Sequence, residues 1–408
     1  RRVEQPALYA SVTQDVQAWV AEQRALKPEE NGWTELRSAM TYRSQSGKTD
    51  QTPEIVEQLK AGTELHDPLD EPGYWQKPDA KKNWENAHQL FLKAIPALDS
   101  ALAKPHFSYI STEGFKMQSR VPNFLLARAG SRGLSALASE AIDQQQGELA
   151  LEYQLRNLKW SACLRQGALI SMMIGVAQEN IAIENVEKWV FQTHPDVAQL
   201  RRMLAGLQAY AFDRRDLQAT MKRETSMADV AFTELLENNQ EAVKEFSESE
   251  DTTRLRILLA VLPRSYWKSE HQAYLNVMLA NLEAQGELGR PNDTDPGQLL
   301  PFSFVARQVA PMTHRAQAQF MVSMTRFEAL KTVVALEIYQ REHGAYPDSL
   351  AALVPQYLPN LPKDVISPNL WERKPNLMYQ RQGQSYELVS QSPLYETVRY
   401  KRRQSFGP

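Results

Sequence analysis

Several short stretches carry residue types that could do chemistry. Ser44–Asp50, SQSGKTD, closes like a phosphate loop, where glycine amides and a lysine cradle phosphate oxygens. The full pattern needs a glycine where Tyr42 stands, and Thr52-Pro53-Glu54 follows where a helix should start, so it reads as a chance tripeptide. Ala129–Gly133, AGSRG, nearly matches a nucleophile elbow. That device needs a strand-turn-helix to expose its serine, whereas Ser131 is flanked by helical pattern on both sides. His66, His88, His106, His194, His271, His314 and His343 lie too far apart for a metal-binding pair on one helix face. His343 precedes Gly344 and reads as a helix C-terminal residue favoured by the dipole.

Carboxylates offer a second possibility. Glu179 and Glu184, with Glu187 following, lie on an otherwise apolar helix and could form an acid–base pair. The competing reading places Gln178–Asn180 and Glu184–Lys188 on recurring polar faces of a packed helix, and that reading is preferred. Arg214, Arg215 and Arg223 with Glu224 could hold an anion or pair locally, with pairing the default. Cys163, the single cysteine, sits in the apolar run LKWSACLRQGALI. Alone it forms no internal disulfide or cysteine-based zinc site, and it reads as a small buried hydrophobe. Accordingly no catalytic, cofactor-binding or metal-ligating residue is assigned.

Composition narrows the class. With 42% hydrophobic and 23% charged residues, 408 residues can bury more than one core. A formal charge of −3 gives no overall basic field, so nucleic acid is not an expected partner. The cluster Arg399, Lys401, Arg402 and Arg403 reads as a solvated tail. No run approaches the roughly 18 apolar residues of a membrane span. The chain begins at Arg1 and not methionine, so a removed segment is expected before it: a signal peptide, an anchor helix or a stretch cut away by an expression boundary.

The elements that would position these residues are mostly helices. Leu8, Val12, Val16, Trp19 and Val20 follow the helix period. Pro53, Pro68, Pro72, Gly73 and Pro78 predict a surface connection over 46–80 with one short helix at Glu54–Leu59. From Asn83 to about Gln285 one amphipathic segment follows another, separated by short breaks at Gln144–Gly147, Thr193–Asp196 and Glu248–Thr252. Breaks this short predict antiparallel neighbours and an irregular helical-hairpin array, tetratricopeptide-like or α-solenoid in style. The predicted organisation is an N-terminal helix and connection (1–82), a helical-hairpin domain (83–285), a linker (286–310) and a small α+β module (311–408). The module holds a long helix from about Pro311 to Glu342, stopped at Gly344. Asp348 or Ser349 would cap a short helix, and a hairpin would pair Leu377–Gln380 with Tyr386–Val389.

That last module carries a resemblance. RFEALKTVVALEIYQREHGAYPDSLAALVPQYLPNLPKD followed by LMYQRQGQSYELVS resembles the C-terminal half of type II secretion major pseudopilins. The matching residues include Tyr339, His343, Gly344, Tyr346, Pro347, Tyr357, Leu361, Pro362, Lys363, Asp364, Tyr379, Tyr386 and Leu388. Some 300 residues stand where a pseudopilin has its filament helix. The ending SPLYETVRYKRRQSFGP replaces the acidic calcium loop, so neither filament assembly nor calcium binding carries over. With GELALEYQLRNLKWSACL and LISMMIGVAQENIAIENVEKWV, the whole chain is similar to a group of bacterial proteins with an anchor, a helical-hairpin region and this ending. That similarity implies an extracytoplasmic, membrane-tethered protein. The expected function is a non-catalytic scaffold with protein partners. An all-helical hydrolase or carbohydrate-active enzyme and a secretion-apparatus accessory are the alternatives.

Overall fold

The structure, a computed structural model, describes residues 5–37, 42–43, 54–108, 121–122, 124–210, 214–237, 263–287, 304–365, 376–390 and 399–401. The helices are α1 (Pro6–Ala25), α2 (Gly32–Arg37), α3 (Glu54–Asp70), α4 (Ala80–Leu102), α5 (Phe124–Asp143), α6 (Gly147–Leu164), α7 (Leu169–Gln192), α8 (Val197–Tyr210), α9 (Arg214–Leu236), α10 (Arg264–Glu287) and α11 (Phe304–His343). Strands β1 (Tyr42–Arg43) and β2 (Val121–Pro122) form a minimal antiparallel pair. Strands β3 (Met378–Gln382), β4 (Ser385–Val389) and β5 (Arg399–Lys401) form an antiparallel sheet in that order. The chain is therefore mainly α with a small C-terminal β element.

Buried side chains fall into three cores. The first joins α2 to α6 around Trp33, Leu59, Phe91, Leu134 and Trp160. The second joins α6, α7, α8, α11 and the sheet around Leu151, Trp189, Leu200, Val334, Tyr346 and Tyr386. The third joins α1, α9, α10, the start of α7 and the middle of α11 around Val16, Met172, Met221, Met278 and Phe320. Each fully buried large side chain contributes about 1.5–3 kcal/mol of hydrophobic burial. Helices α7 and α11 each supply residues to two cores, so they hold the second and third in register.

Two readings of helix extent are corrected. The connection expected over 46–80 contains α3, which runs to Asp70 and buries Val56, Leu59, Ala61 and Leu65. Pro68 lies in its last turn, where the helix ends two residues later, so the proline density there marks a helix end and not a surface loop. Likewise α11 begins at Phe304, inside the expected linker, and carries Pro311 within it. At ~1.5 Å per residue its 40 residues span on the order of 60 Å.

The C-terminal module keeps the expected order with finer differences. Helix α11 stops at Gly344, which takes the left-handed φ of 73° that suits glycine. Its N–H donates to the Gln340 carbonyl at 2.8 Å. Ser349 occupies the cap position of a 3-10 turn, Leu350–Leu353, without a side-chain cap hydrogen bond. The hairpin pairs Met378–Gln382 with Ser385–Val389 around Gly383, also at positive φ. The basic ending corrects a further reading. Arg399–Lys401 is a third strand, and Tyr400 is 5% exposed, so this part of the tail is folded.

Close helix approach explains some small residues. A Cβ at Gly62 of α3 would lie 2.2 Å from the Ala129 carbonyl oxygen of α5. One at Gly133 would meet the Phe91 ring at 2.5 Å. Glycine-to-alanine changes ordinarily favour a helix by about 1 kcal/mol. Here the backbone contact outweighs that gain. Gly62→Ala is expected to lower unfolding stability by about 1–3 kcal/mol in urea titration, whereas a neutral or stabilising result would disprove the close contact.

Candidate functional site

A cleft of about 460 Å³ lies where α1, α6, α8 and α9 meet the chain that follows α4. Helix α6 contributes Lys159, Ala162 and Cys163, and the turn after it contributes Arg165 and Gln166. Helix α9 contributes Asp216, Ala219 and Arg223; α1 contributes Trp19 and Gln23; α8 contributes Ala209 and Tyr210. Lys104, His106 and Phe107 close the end beyond α4. Four permanent cations thus face one lining carboxylate, Asp216.

Each cation is held differently. The Arg223 guanidinium lies 4.1 Å from the Trp19 ring centre and donates to the Gln166 and Gly167 carbonyls at 2.9 and 3.1 Å. This stacking and capping ties α1 and α9 to the α6–α7 turn. Lys104 sits 3.5 Å from Glu35. Lys159, half-buried, makes no ion pair among the described residues. Arg165 is buried, with a side chain 6% exposed, and donates to the Glu179 carboxylate and to the Tyr210 carbonyl.

Glu179 is the acid behind the cleft. It is 1% exposed on α7, with its second oxygen accepting from Ser323 of α11 at 3.2 Å. Burial pushes its carboxyl up to about 7, against the opposing pull of Arg165 and Ser323 and with a small addition from the Asp216 charge. Burial also raises Cys163 to about 12 despite Lys159 and Arg165 nearby, so the thiol stays protonated and is not a nucleophile at neutral pH. Glu224 is raised by burial and accepts from the first amide of α7, at Leu169.

The sequence candidates separate in space. Glu179 and Glu184 do not form a pair. Glu184 is exposed beside Arg326 of α11 at 3.3 Å, and Glu187, raised by burial, lies in the same field. The polar-face reading is corrected at Gln178 and Glu179, both 1% exposed, and holds at Glu184 and Lys188, which are exposed. A signal for this was present: Met172, Val176, Glu179, Ile183, Val186 and Val190 share three- and four-residue spacing, which places the carboxylate inside the buried stripe. Arg223 and Glu224 contact backbone of the α6–α7 region and are not partners of each other in a local pair. Ser131 is buried mid-helix against Asn157, with no elbow around it. The stretch from Ser44 to Asp50 lies outside the described residues, as does the break at Glu248–Thr252. His343 donates from Nδ1 to the Tyr339 carbonyl at 3.0 Å and stacks on that ring, a helix-end role. Among the described residues no group of His, Cys, Asp and Glu is placed to hold a metal ion, and no helix is long and apolar enough to cross a membrane.

A second polar cluster is structural. Asp229 accepts from Tyr9 and from His271 Nε2, both at 2.7 Å, joining α1, α9 and α10. Burial opposes its ionisation, yet these two donors hold its carboxyl below the usual range. Among the described residues the tryptophans do not gather into a sugar-binding platform. Trp33, Trp160 and Trp189 are buried, and Trp75 meets Trp84 at 64°, edge towards face.

No protein-family profile, curated protein or solved structure matches the chain.

The buried acid gives a pH prediction. A carboxyl raised on folding holds its proton more tightly in the folded chain. Its contribution is complete below the ordinary value of 4.5 and is lost as pH rises through about 7. Urea titrations at several pH values should show the native chain losing on the order of 3 kcal/mol more than Glu179→Gln across that window. Parallel stability curves for the two proteins would contradict the assignment.

Proposed function

We propose that this chain is a non-catalytic helical scaffold, acting through protein partners on the extracytoplasmic side of a bacterial membrane. Its cleft serves as the place where an anionic group on a partner or ligand is recognised. The observation that carries this reading is the charge of the cleft: Lys104, Lys159, Arg165 and Arg223 surround a depression whose lining holds one carboxylate. The partly buried walls screen these charges less than open surface would, so they steer and select anions.

The helical hairpins support the scaffold part of the reading. Helix α3 packs on α4, α5 on α6 and α6 on α7, and α5 also meets α3 and α7, which is the style of packing expected of a helical-hairpin array. The location rests on the pseudopilin-like ending and the similarity that accompanies it. On this account the C-terminal module, docked on α11 through Tyr346 and Tyr386, is a folded part of the scaffold and not a filament unit.

Ala209 is exposed on the cleft rim and accepts a photo-crosslinking amino acid without loss of a buried contact. Crosslinking in the host cell envelope should give discrete protein adducts that fall at least about fivefold in a Lys159→Glu background. Adducts indifferent to that charge reversal, or none from an externally accessible chain, would refute the reading.

A further inference from the structure

We propose that the aromatic corner between α3 and α4, formed by Tyr74, Trp75 and Trp84, binds a quaternary ammonium group of the choline type. None of these residues lines the cleft, and the site does not depend on the anion reading.

The chain leaving α3 turns at Gly73 into a 3-10 turn, Tyr74–Gln76. The turn is closed by its own backbone. The Tyr74 amide donates to the Glu71 carbonyl at 3.1 Å, Gln76 to Gly73 at 3.0 Å and Lys77 to Tyr74 at 2.9 Å. Two aromatic rings are thereby fixed side by side at the surface. Trp84, near the start of α4, supplies the third ring and is anchored by packing against the first core. Trp75 stays 56% exposed. A lone exposed apolar side chain needs no explanation, but a cluster of large aromatics at the surface marks a place of contact.

The angles between the rings select the ligand. Tyr74 and Trp75 meet at 89° with centres 5.3 Å apart, and Trp75 and Trp84 meet at 64° with centres 5.7 Å apart. A sugar ring or a base has flat faces and is met by aromatic rings lying parallel to it. Rings this steeply inclined cannot all lie flat on one such ligand. A compact, rounded cation has no flat face, and walls at steep angles can turn their negative faces to it from different sides.

The corner already accepts a cation of its own. The Lys77 ammonium lies 5.4 Å from the centre of the Tyr74 ring, inside the range of about 6 Å over which ring and cation attract. That ammonium also pairs with Glu71 at 2.7 Å, because its N–H groups need an acceptor. A quaternary ammonium has no N–H to satisfy and holds its water weakly. Aromatic faces, tryptophan above all, are its preferred surroundings, and Glu71 adds negative charge beside them. Such a group is carried by free choline compounds and by choline lipids, and the corner recognises the chemistry they share.

The test uses the full chain with its tryptophan indoles labelled with nitrogen-15. Choline chloride is titrated at constant chloride, with sodium as the ion replaced. The resonances missing from Trp75→Leu and Trp84→Phe identify the two indoles. The expected result is saturable shifts of these two signals, with affinity on the order of millimolar for so open a site. The neutral isostere 3,3-dimethylbutanol should bind at least about fivefold more weakly, since it has the shape without the charge. Trp75→Leu, at an exposed position that leaves the fold intact, should weaken the choline shift at Trp84 at least about fivefold. Phosphatidylcholine and phosphatidylglycerol vesicles separate the sources. Sedimentation with the first alone, lost in Trp75→Leu, places the group on a lipid; choline shifts without vesicle binding place it on a free compound. An isostere that binds as tightly as choline would overturn the site as a cation site. Equal sedimentation with both lipids would make the corner a general interfacial patch and overturn it too. So would the absence of any choline-dependent shift up to ~100 mM.

Discussion

A carboxylate shut off from water faces an arginine across the turn between α6 and α7. Removing either charge from water is expensive, and the pair persists because its geometry and extra hydrogen bonds offset that cost. Glu179 is satisfied by Arg165 and by Ser323 of α11, and Arg165 by Glu179 and the last carbonyl of α8. Four helices are thereby fixed at one point. Gly175 makes the passage possible: a Cβ there would lie 2.6 Å from Arg165 Cγ and 2.8 Å from the Ser161 carbonyl oxygen. Breaking one partner would leave an uncompensated buried charge, so the pair constrains the neighbouring cores more than its net contribution to stability suggests.

The same pair connects architecture to recognition. Hydrophobic burial holds three cores that share α6, α7 and α11. None of that burial tells one ligand from another. On the proposed reading that discrimination falls to the cleft, which lies beside the buried pair of Arg165 and Glu179. Arg165 belongs both to the cleft lining and to the buried pair, Arg223 is braced on Trp19, and Lys159 makes no ion pair among the described residues.

Much of the helical architecture was legible because burial in helices leaves a period. The stripes of α1, α4 to α8 and α11 are visible in the order of residues, and the stop at Gly344 follows from a backbone conformation that favours glycine. Other features were hidden for physical reasons. Pro68 and Pro311 suggested breaks, but tertiary packing and position within the helix overrode propensity in α3 and α11. Arg399–Lys401 read as a charged tail because a three-residue strand with one buried tyrosine between two cations has no periodic signature. The cleft was the least legible, since its lining comes from five separated segments. Arg223, flagged in an arginine-rich stretch, does reach it, whereas Lys104 and Lys159 carry no local mark. Glu179 stood in the buried stripe of α7, and its polarity drew attention away from its spacing.

The measurement that bears most directly on this account is the titration of Glu179 itself. Carbon-13 NMR of side-chain carboxyls in glutamate-labelled chain, followed from pH 4 to 9, gives each midpoint, and the resonance missing from Glu179→Gln identifies the one that matters. A midpoint of about 7 is expected for that carboxyl. A midpoint in the ordinary carboxylate range, near 4.5, would show that the group is solvated and that the buried pair does not organise the junction.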